Sequence, residues 1–157
     1  MTQEKQFENK VKNYLESIGC YNFGTPKEQL KEPITGYWEK RWGGGQFAKS
    51  GLPDMHIVLH GTSIEAELKA PNGKPSLLQL KNLDLITKSS IGFILVEKYD
   101  TKLKLTNWIK NTYPEYKHIP VWDFEQFKSL CEKLLTLWVT FIIMNLQKLT
   151  LIDINWY

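Results

Sequence analysis

The stretch SGLPDMHIVLHGTSIEAELK, residues 50–69, decides the fold that this sequence predicts. Apolar side chains alternate with other side chains on both sides of a glycine turn, at Met55, Ile57 and Leu59 before it and at Ile64, Ala66 and Leu68 after it. Alternation with a period of two is typical of strands that bury one face. The stretch therefore predicts a β-hairpin that turns at residues 61–63.

The second strand of this hairpin carries charged side chains on its other face. Glu65, Glu67 and Lys69 are two residues apart, so they point the same way at intervals of about 6.6 Å. Antiparallel pairing brings Asp54, at the start of the first strand, opposite the end of the second. We expect Asp54, Glu67 and Lys69 to converge on one site, and the alternative is an exposed polar strand face.

Two carboxylates and an ammonium group at one point suit a metal-dependent reaction. Carboxylates held close together repel each other unless a cation lies between them. Mg²⁺ binds through one or two carboxylates, waters and phosphate oxygens, and it activates a bound water. Lys69 would orient or deprotonate the attacking water, or stabilise the phosphate. The expected reaction is phosphodiester hydrolysis with Mg²⁺, for which Mn²⁺ is an alternative.

The same residues resemble a known family. Pro53 and Asp54, followed after twelve residues by Glu67-Leu68-Lys69, are similar to the signature of the PD-(D/E)XK nuclease superfamily. The lead-in GLPD and the exit ELKAP are similar to the VRR-NUC group of small, often phage-borne nucleases and to Holliday-junction-resolvase-like proteins. The resemblance covers residues 7–97. It implies a restriction-endonuclease-like α/β core with a mixed β-sheet flanked by helices, and a homodimer that cuts branched, flapped or junction DNA.

The resemblance also implies further site residues. A glutamate on the first helix, predicted over residues 2–18, would add a carboxylate to the metal site, and Glu8 matches that position. Glu4 is the competing assignment, and a solvated helix edge is the other reading of Glu8. The main-chain carbonyl of Leu68 would be an extra metal ligand. Gln79 would support the site, although Ser76 and Gln79 also match a helix capping box.

Residues 20–50 are predicted to be a flexible, substrate-contacting loop region, because glycines and prolines interrupt it throughout. Aromatic and basic side chains interleaved on such a loop suit stacking on unpaired bases and contact with phosphates. Aromatic side chains that close the core are the alternative. The predicted nucleic-acid-binding residues, which include one lysine beyond the second strand, are Tyr37, Trp38, Lys40, Arg41, Trp42, Lys49 and Lys74.

The rest of the chain predicts an α/β arrangement. A helix is expected over residues 76–88, a buried strand over 91–97, a helix over 103–111, a short strand over 118–122, and a last helix capped by Asp123. Residues 1–133 would form the nuclease-like domain, with its motif core at 8–97.

Residues 134–157 would be an apolar extension. Its apolar run at 134–144 is too short to cross about 30 Å of hydrocarbon as a helix. We expect the extension to pack on the core or in a dimer interface, rather than on a membrane.

Composition sets the remaining bounds. The chain has 157 residues with a net charge of +3, two cysteines without metal-binding spacing, and a polar N-terminus. These features favour a reducing, cytoplasmic location and are compatible with nucleic acid. The resemblance implies that the cell is bacterial or phage-infected.

The resulting hypothesis is a Mg²⁺-dependent DNA endonuclease. The alternative is a catalytically silent module of the same fold that binds DNA or a protein partner, for example a phage protein that acts on a host factor.

Overall fold

The structure is a computed structural model that describes the backbone of residues 1–41 and 49–154 and the side chains of residues 1–41 and 49–148. The helices are α1 (Gln3–Ser17), α2 (Leu77–Thr87), α3 (Tyr99–Thr112) and α4 (Phe124–Ile154). The strands are β1 (Cys20–Asn22), β2 (Gly36–Lys40), β3 (Met55–Leu59), β4 (Thr62–Leu68), β5 (Ile91–Val96) and β6 (Val121–Asp123). Short 3-10 helices cover Lys27–Gln29 and Pro114–Tyr116.

The predicted hairpin is confirmed as the antiparallel pair β3 and β4. Its turn lies one residue earlier than expected, because His60 and Gly61 both adopt positive φ angles of 45° and 78°. Two consecutive residues in the left-handed region make the tight turn whose twist matches that of paired strands. Met55 lies opposite Ala66, so continuing the register places Asp54 opposite Glu67.

The strands form one six-stranded sheet in the order β1-β2-β3-β4-β5-β6. The β2–β3 and β3–β4 pairs are antiparallel, and the other three neighbouring pairs are parallel. Helix α2 connects β4 to its parallel neighbour β5, and α3 connects β5 to β6. This mixed sheet with helices on it confirms the predicted α/β class.

The helices cover both faces of the sheet, and this decides which strand residues are buried where. On one face, Phe7 of α1 and Phe127 of α4 pack with Ala66 of β4. On the other face, Leu80 of α2 and Leu105 of α3 pack with strands β5 and β6. Side chains alternate along β4, so Glu65 and Glu67 point toward the face that carries α2.

The predicted flexible loop over residues 20–50 is wrong for part of its length. Cys20–Asn22 and Gly36–Lys40 are strands, and they pair in parallel with each other. Strand β2 has only five residues, and the glycines and prolines on both sides of it favoured the prediction of a loop. The short strand expected over residues 118–122 is shifted to Val121–Asp123.

The last helix begins as predicted but departs from the core. Asp123 caps it, since its Oδ1 accepts a hydrogen bond of 2.9 Å from the amide of Gln126. Phe127 and Cys131 are fully buried, whereas residues 137–146 include a run of exposed apolar side chains such as Leu137, Phe141 and Met144. Trp138 stacks on His60, but packing on the core, one of the two predicted placements of the extension, is wrong for the rest of this run. The interface placement stays a prediction.

Helix α4 is also long and apolar enough to cross a membrane by length and composition, over Phe124–Lys148, and 6% of the tested window is buried. It is the one such helix among the described residues. Core helices of soluble proteins pass the same test. The cytoplasmic location stays a prediction.

Candidate active site

The structure brings Asp54, Glu67 and Lys69 together at one end of the β3–β4 hairpin. Lys69 Nζ donates a hydrogen bond to Glu67 Oε1, and the two side chains are 13% and 1% exposed. The amide of Leu68 donates to Asp54 Oδ2 at 2.8 Å. The pairing that the alternation predicted is therefore present at the predicted residues, and it is not an exposed strand face.

The backbone around Asp54 is held from two sides. Its carbonyl accepts a hydrogen bond of 2.8 Å from the amide of Arg41, which extends the β2–β3 pairing past Met55. Upstream, Asn82 on α2 donates to the carbonyl of Gly51 at 2.7 Å. Gly51 has a φ of +77°, and a Cβ there would lie 2.5 Å from Leu78. The residue must be glycine for the lead-in to Asp54 to lie against α2.

Gln79 fulfils both of the roles that its position allows. Its side chain completes the capping box of α2, since Gln79 Oε1 accepts from the amide of Ser76 at 2.8 Å. The other end of the same amide, Nε2, donates to Glu67 Oε1. The cap thereby fixes the rotamer of Gln79, and Gln79 in turn orients the Glu67 carboxylate.

Burial raises the pKa of both carboxyl groups. The pKa of Glu67 rises to about 7, chiefly because of desolvation and then because of the negative charge of Asp54, while Lys69 lowers it. The pKa of Asp54 is also raised by burial, against the hydrogen bond from Leu68 and the charge of Lys69. The buried Glu67 and the half-buried Asp54 carboxylates with one ammonium group carry a net negative charge, and a cation would relieve it.

One further observation indicates that the carboxylate oxygens of this site suit a hard divalent cation. Glu67 Oε2 is buried and has no hydrogen-bond partner among the described residues. A buried carboxylate oxygen without a partner costs free energy, and metal coordination is a common way to satisfy it. The described residues contain no group of three or more His, Cys, Asp or Glu side chains that could hold a metal. Mg²⁺ needs only one or two carboxylates, because waters and substrate oxygens complete its shell.

Glu8 does not belong to this carboxylate pair. It is 4% exposed and lies among three ammonium groups, from Lys5 at 2.7 Å and from Lys12 and Lys40. Both of its oxygens accept hydrogen bonds in this cluster. Desolvation raises the pKa of Glu8, but the three lysines outweigh it and lower the pKa to about 2. The described contacts of Glu8 assign it to an ion cluster rather than to a metal site.

We expect Glu8→Gln to remove a stabilising charge in a pH-dependent way. A pKa lowered from 4.5 to about 2 corresponds to stability that is present above pH 4.5 and is lost as the pH falls through 2. At pH 7 the variant should lose about 1–3 kcal/mol of the free energy of unfolding, and at pH 3 this loss should be less than half as large. Urea unfolding at both pH values measures this. Glu16→Gln, on the exposed face of α1, is the control, and an equal loss at both pH values would contradict the assignment.

Glu4, the competing helix carboxylate, is electrostatically closer to the pair. Its charge contributes to raising the pKa of Asp54, which Glu8 is not found to do. Glu4 is exposed at the start of α1. Helical spacing predicts that Glu4 and Glu8 lie on the same edge of α1. Only the way in which α1 packs on the sheet gives the two side chains different neighbours.

A second polar cluster lies beside the site on the same sheet face. Arg41 donates to both oxygens of Glu65, with Nη2 at 3.1 Å from Oε1, and His56 Nδ1 lies 2.6 Å from Glu65 Oε1. Because Glu65 is two residues from Glu67 and His56 two from Asp54, the cluster borders the carboxylate pair. Strand alternation predicts that Glu65 lies on this face, but it does not identify the partners of Glu65, which come from β3 and from the residue after β2.

The predicted nucleic-acid-binding residues differ in their exposure and in their contacts with other side chains. Tyr37 is exposed and packs against Phe23 at 4.6 Å between ring centroids, and Lys49 is also exposed. Lys40 binds Glu8 and Arg41 binds Glu65. Trp42 lies outside the described residues. These placements leave Tyr37, Lys49 and Lys74 as the predicted residues with side chains available at the surface.

The prediction that Trp38 binds nucleic acid is wrong. Its side chain is 5% exposed and belongs to the core between the sheet and α1. Neighbouring strand residues point to opposite faces, so Tyr37 is at the surface and Trp38 is inside. The aromatic-basic composition of this stretch could not reveal that it is a strand.

We expect Trp38→Ala to lower the free energy of unfolding by about 3–5 kcal/mol, because it leaves a cavity in the core. Tyr37→Ala should change stability by less than about 1 kcal/mol. Urea unfolding followed by circular dichroism compares the two variants. Wild-type stability of Trp38→Ala, combined with a selective loss of DNA affinity, would restore the original prediction.

No family model, curated protein or solved structure matches this chain.

Proposed function

We propose that this protein is a metal-dependent DNA endonuclease of the PD-(D/E)XK type. The observation that supports the proposal best is Glu67 Oε2, a buried carboxylate oxygen without a described partner, beside Asp54 and Lys69. A purely structural ion pair between Lys69 and Glu67 gains nothing from a second, half-buried carboxylate at the same point. A site that admits a divalent cation accounts for both carboxylates.

The proposed site assigns a role to each residue. Asp54 and Glu67 would hold Mg²⁺ or Mn²⁺, with the Leu68 carbonyl as an additional ligand. The metal would supply charge neutralisation at the phosphate and a more acidic bound water. Lys69 positions or deprotonates the attacking water, and Gln79 holds Glu67 in the productive orientation.

We also infer that the sheet and its helices form a restriction-endonuclease-like core. A hairpin β3–β4, a helix α2 and a parallel strand β5 carry the motif in the order that the resemblance implies. The motif residues lie at the end of a central strand, not at a sheet edge. These features support a restriction-endonuclease-like core, in which Glu4 rather than Glu8 is the α1 carboxylate whose charge raises the pKa of Asp54.

The test is cleavage of a labelled DNA panel with the full-length chain. Single-stranded, duplex, flapped and four-way-junction substrates are incubated with Mg²⁺, Mn²⁺ or EDTA. We expect cutting that requires the metal, fastest on a branched substrate, and lost in Asp54→Asn. Asp100→Asn, which changes an exposed aspartate on α3, is the matched control and should cut like the wild type.

The competing function is a silent module that binds DNA or a protein partner. The exposed apolar run on α4 is the observation that favours a partner, which includes a second copy of this chain. No cutting of any substrate, with DNA binding equal in Mg²⁺ and EDTA, would select this alternative. Cutting that survives Asp54→Asn would refute the assigned site.

A further inference from the structure

A cavity lies directly after the motif strand, between the turn that follows Lys69 and helix α3. It has a volume of about 320 Å³, at the lower end of the range for ligand pockets. Asn72, Lys74, Lys104 and Trp108 contribute to its lining. None of the described residues that line it is acidic. The cavity therefore combines an aromatic ring with two positive charges and no opposing charge.

The turn that lines the cavity lies against a residue of the proposed site. The amide of Gly73, which also lines it, donates to the carbonyl of Ala70 at 2.9 Å and closes a tight turn. A Cβ at Gly73 would lie 3.4 Å from Lys69 Cδ and 3.3 Å from the backbone of Ala70. The wall of the cavity thus rests on the aliphatic part of Lys69. A ligand in this cavity would lie next to the lysine that the mechanism uses.

The lining is already arranged for a cation and a flat ring. Lys74 Nζ lies 5.0 Å from the centroid of the Trp108 ring, which is a cation–π contact. Lys104 is exposed and lies one helical turn before Trp108 on α3, so both face the same side. An indole with two neighbouring ammonium groups matches the chemistry of a nucleotide, which has a π-face and a phosphate.

We propose that this cavity binds a nucleotide of the DNA strand next to the bond that is cut. The base stacks on Trp108 in the place that the Lys74 ammonium group occupies, and Lys74 and Lys104 contact the phosphate. This inference rests on the proposed function, because the position next to the cut is defined by Lys69. It adds a binding subsite with Trp108 and Lys104, neither of which belongs to the motif.

The test measures binding without cleavage. A fluorescein-labelled single-stranded 20-mer of deoxythymidine is titrated with the full-length chain in EDTA at several salt concentrations, and fluorescence anisotropy gives Kd. Lys104→Gln and Lys74→Gln should each weaken binding about fivefold at 0.1 M salt and reduce the salt slope by about 0.7, as expected for one lost phosphate contact on a single strand. Trp108→Ala should weaken it roughly 5- to 100-fold. Lys110→Gln, an exposed lysine on the same helix, is the control and should bind like the wild type.

The outcomes separate the two proposals. Unchanged Kd and salt slope for Lys104→Gln and Lys74→Gln would overturn the subsite, even if the wild type cuts DNA. Weaker binding by these variants, with no cutting by the wild type, would retain the subsite and refute the nuclease. Trp108 is partly buried, so thermal unfolding of Trp108→Ala checks its fold, and the two lysine variants decide the result if it is unfolded.

Discussion

Replacing Lys69 by alanine is expected to slow metal-dependent DNA cleavage by roughly 10²- to 10⁴-fold, the range for loss of a group that activates or positions the nucleophile. Lys69 is the ammonium group that contacts Glu67 in the described structure. It emerges from the end of β4, on the face that carries both carboxylates. Single-turnover cleavage of the best substrate, with excess enzyme, measures the chemical step directly.

The control for this variant must separate chemistry from folding. Removing Lys69 leaves the buried Glu67 carboxylate without its counterion, which can cost about 3–5 kcal/mol of stability. Lys69→Arg keeps the positive charge, so we expect it to fold and still to cut slowly, because a guanidinium does not deprotonate. Lys117→Ala removes an exposed lysine and should cut at the wild-type rate. Wild-type cleavage by Lys69→Ala would refute the role of Lys69.

Replacing Glu67 by glutamine should abolish both cleavage and the response of the fold to metal. Glutamine has the same shape as glutamate, but it lacks the charge that would hold the cation. At a Mg²⁺ concentration of 100 times Kd, a ligand that binds only the native state stabilises it by about 2.7 kcal/mol. For a chain of this size we expect Mg²⁺ to raise Tm by roughly 5–10 °C in the wild type and by nothing measurable in Glu67→Gln.

Thermal unfolding in Mg²⁺ and in EDTA measures the metal response without any substrate. Glu115→Gln, at an exposed glutamate in a 3-10 helix, is the matched control and should keep the wild-type response. A Mg²⁺-induced shift that persists in Glu67→Gln would show that the metal binds elsewhere. A wild type with no shift at any Mg²⁺ concentration would remove the main support for the nuclease proposal.

The site is predictable from the sequence where local periodicity controls it. The alternation around Gly61 placed Asp54 opposite the end of β4, near Glu67 to Lys69, and the register confirms this. A one-residue slip would turn Ile64 and Ala66 out of the core. Gln79 is similar, since its position in a capping box fixes where its side chain can reach. Each of these residues is positioned by neighbours within its own hairpin or helix turn.

The errors occur where distant segments meet. Trp38 and Tyr37 have opposite environments because β2 pairs with β3, and no local pattern showed that pairing. Glu8 pairs with Lys40 across a sequence separation of 32 residues, which turned a candidate ligand into a member of an ion cluster. The cavity at Lys74 and Trp108 likewise forms where a turn after β4 meets α3, two segments that are far apart in the chain.

The sequence by itself determined the hairpin, the convergence of Asp54, Glu67 and Lys69, and the caps of α2 and α4, because strand alternation and helix capping act over a few residues. Only the tertiary structure decided the partners of Glu8, Glu65 and Lys74 and the burial of Trp38. It also decided that the apolar run of α4 extends past the core. These features depend on which elements pack together, and the apolar pattern of one element does not identify the distant element that it packs against.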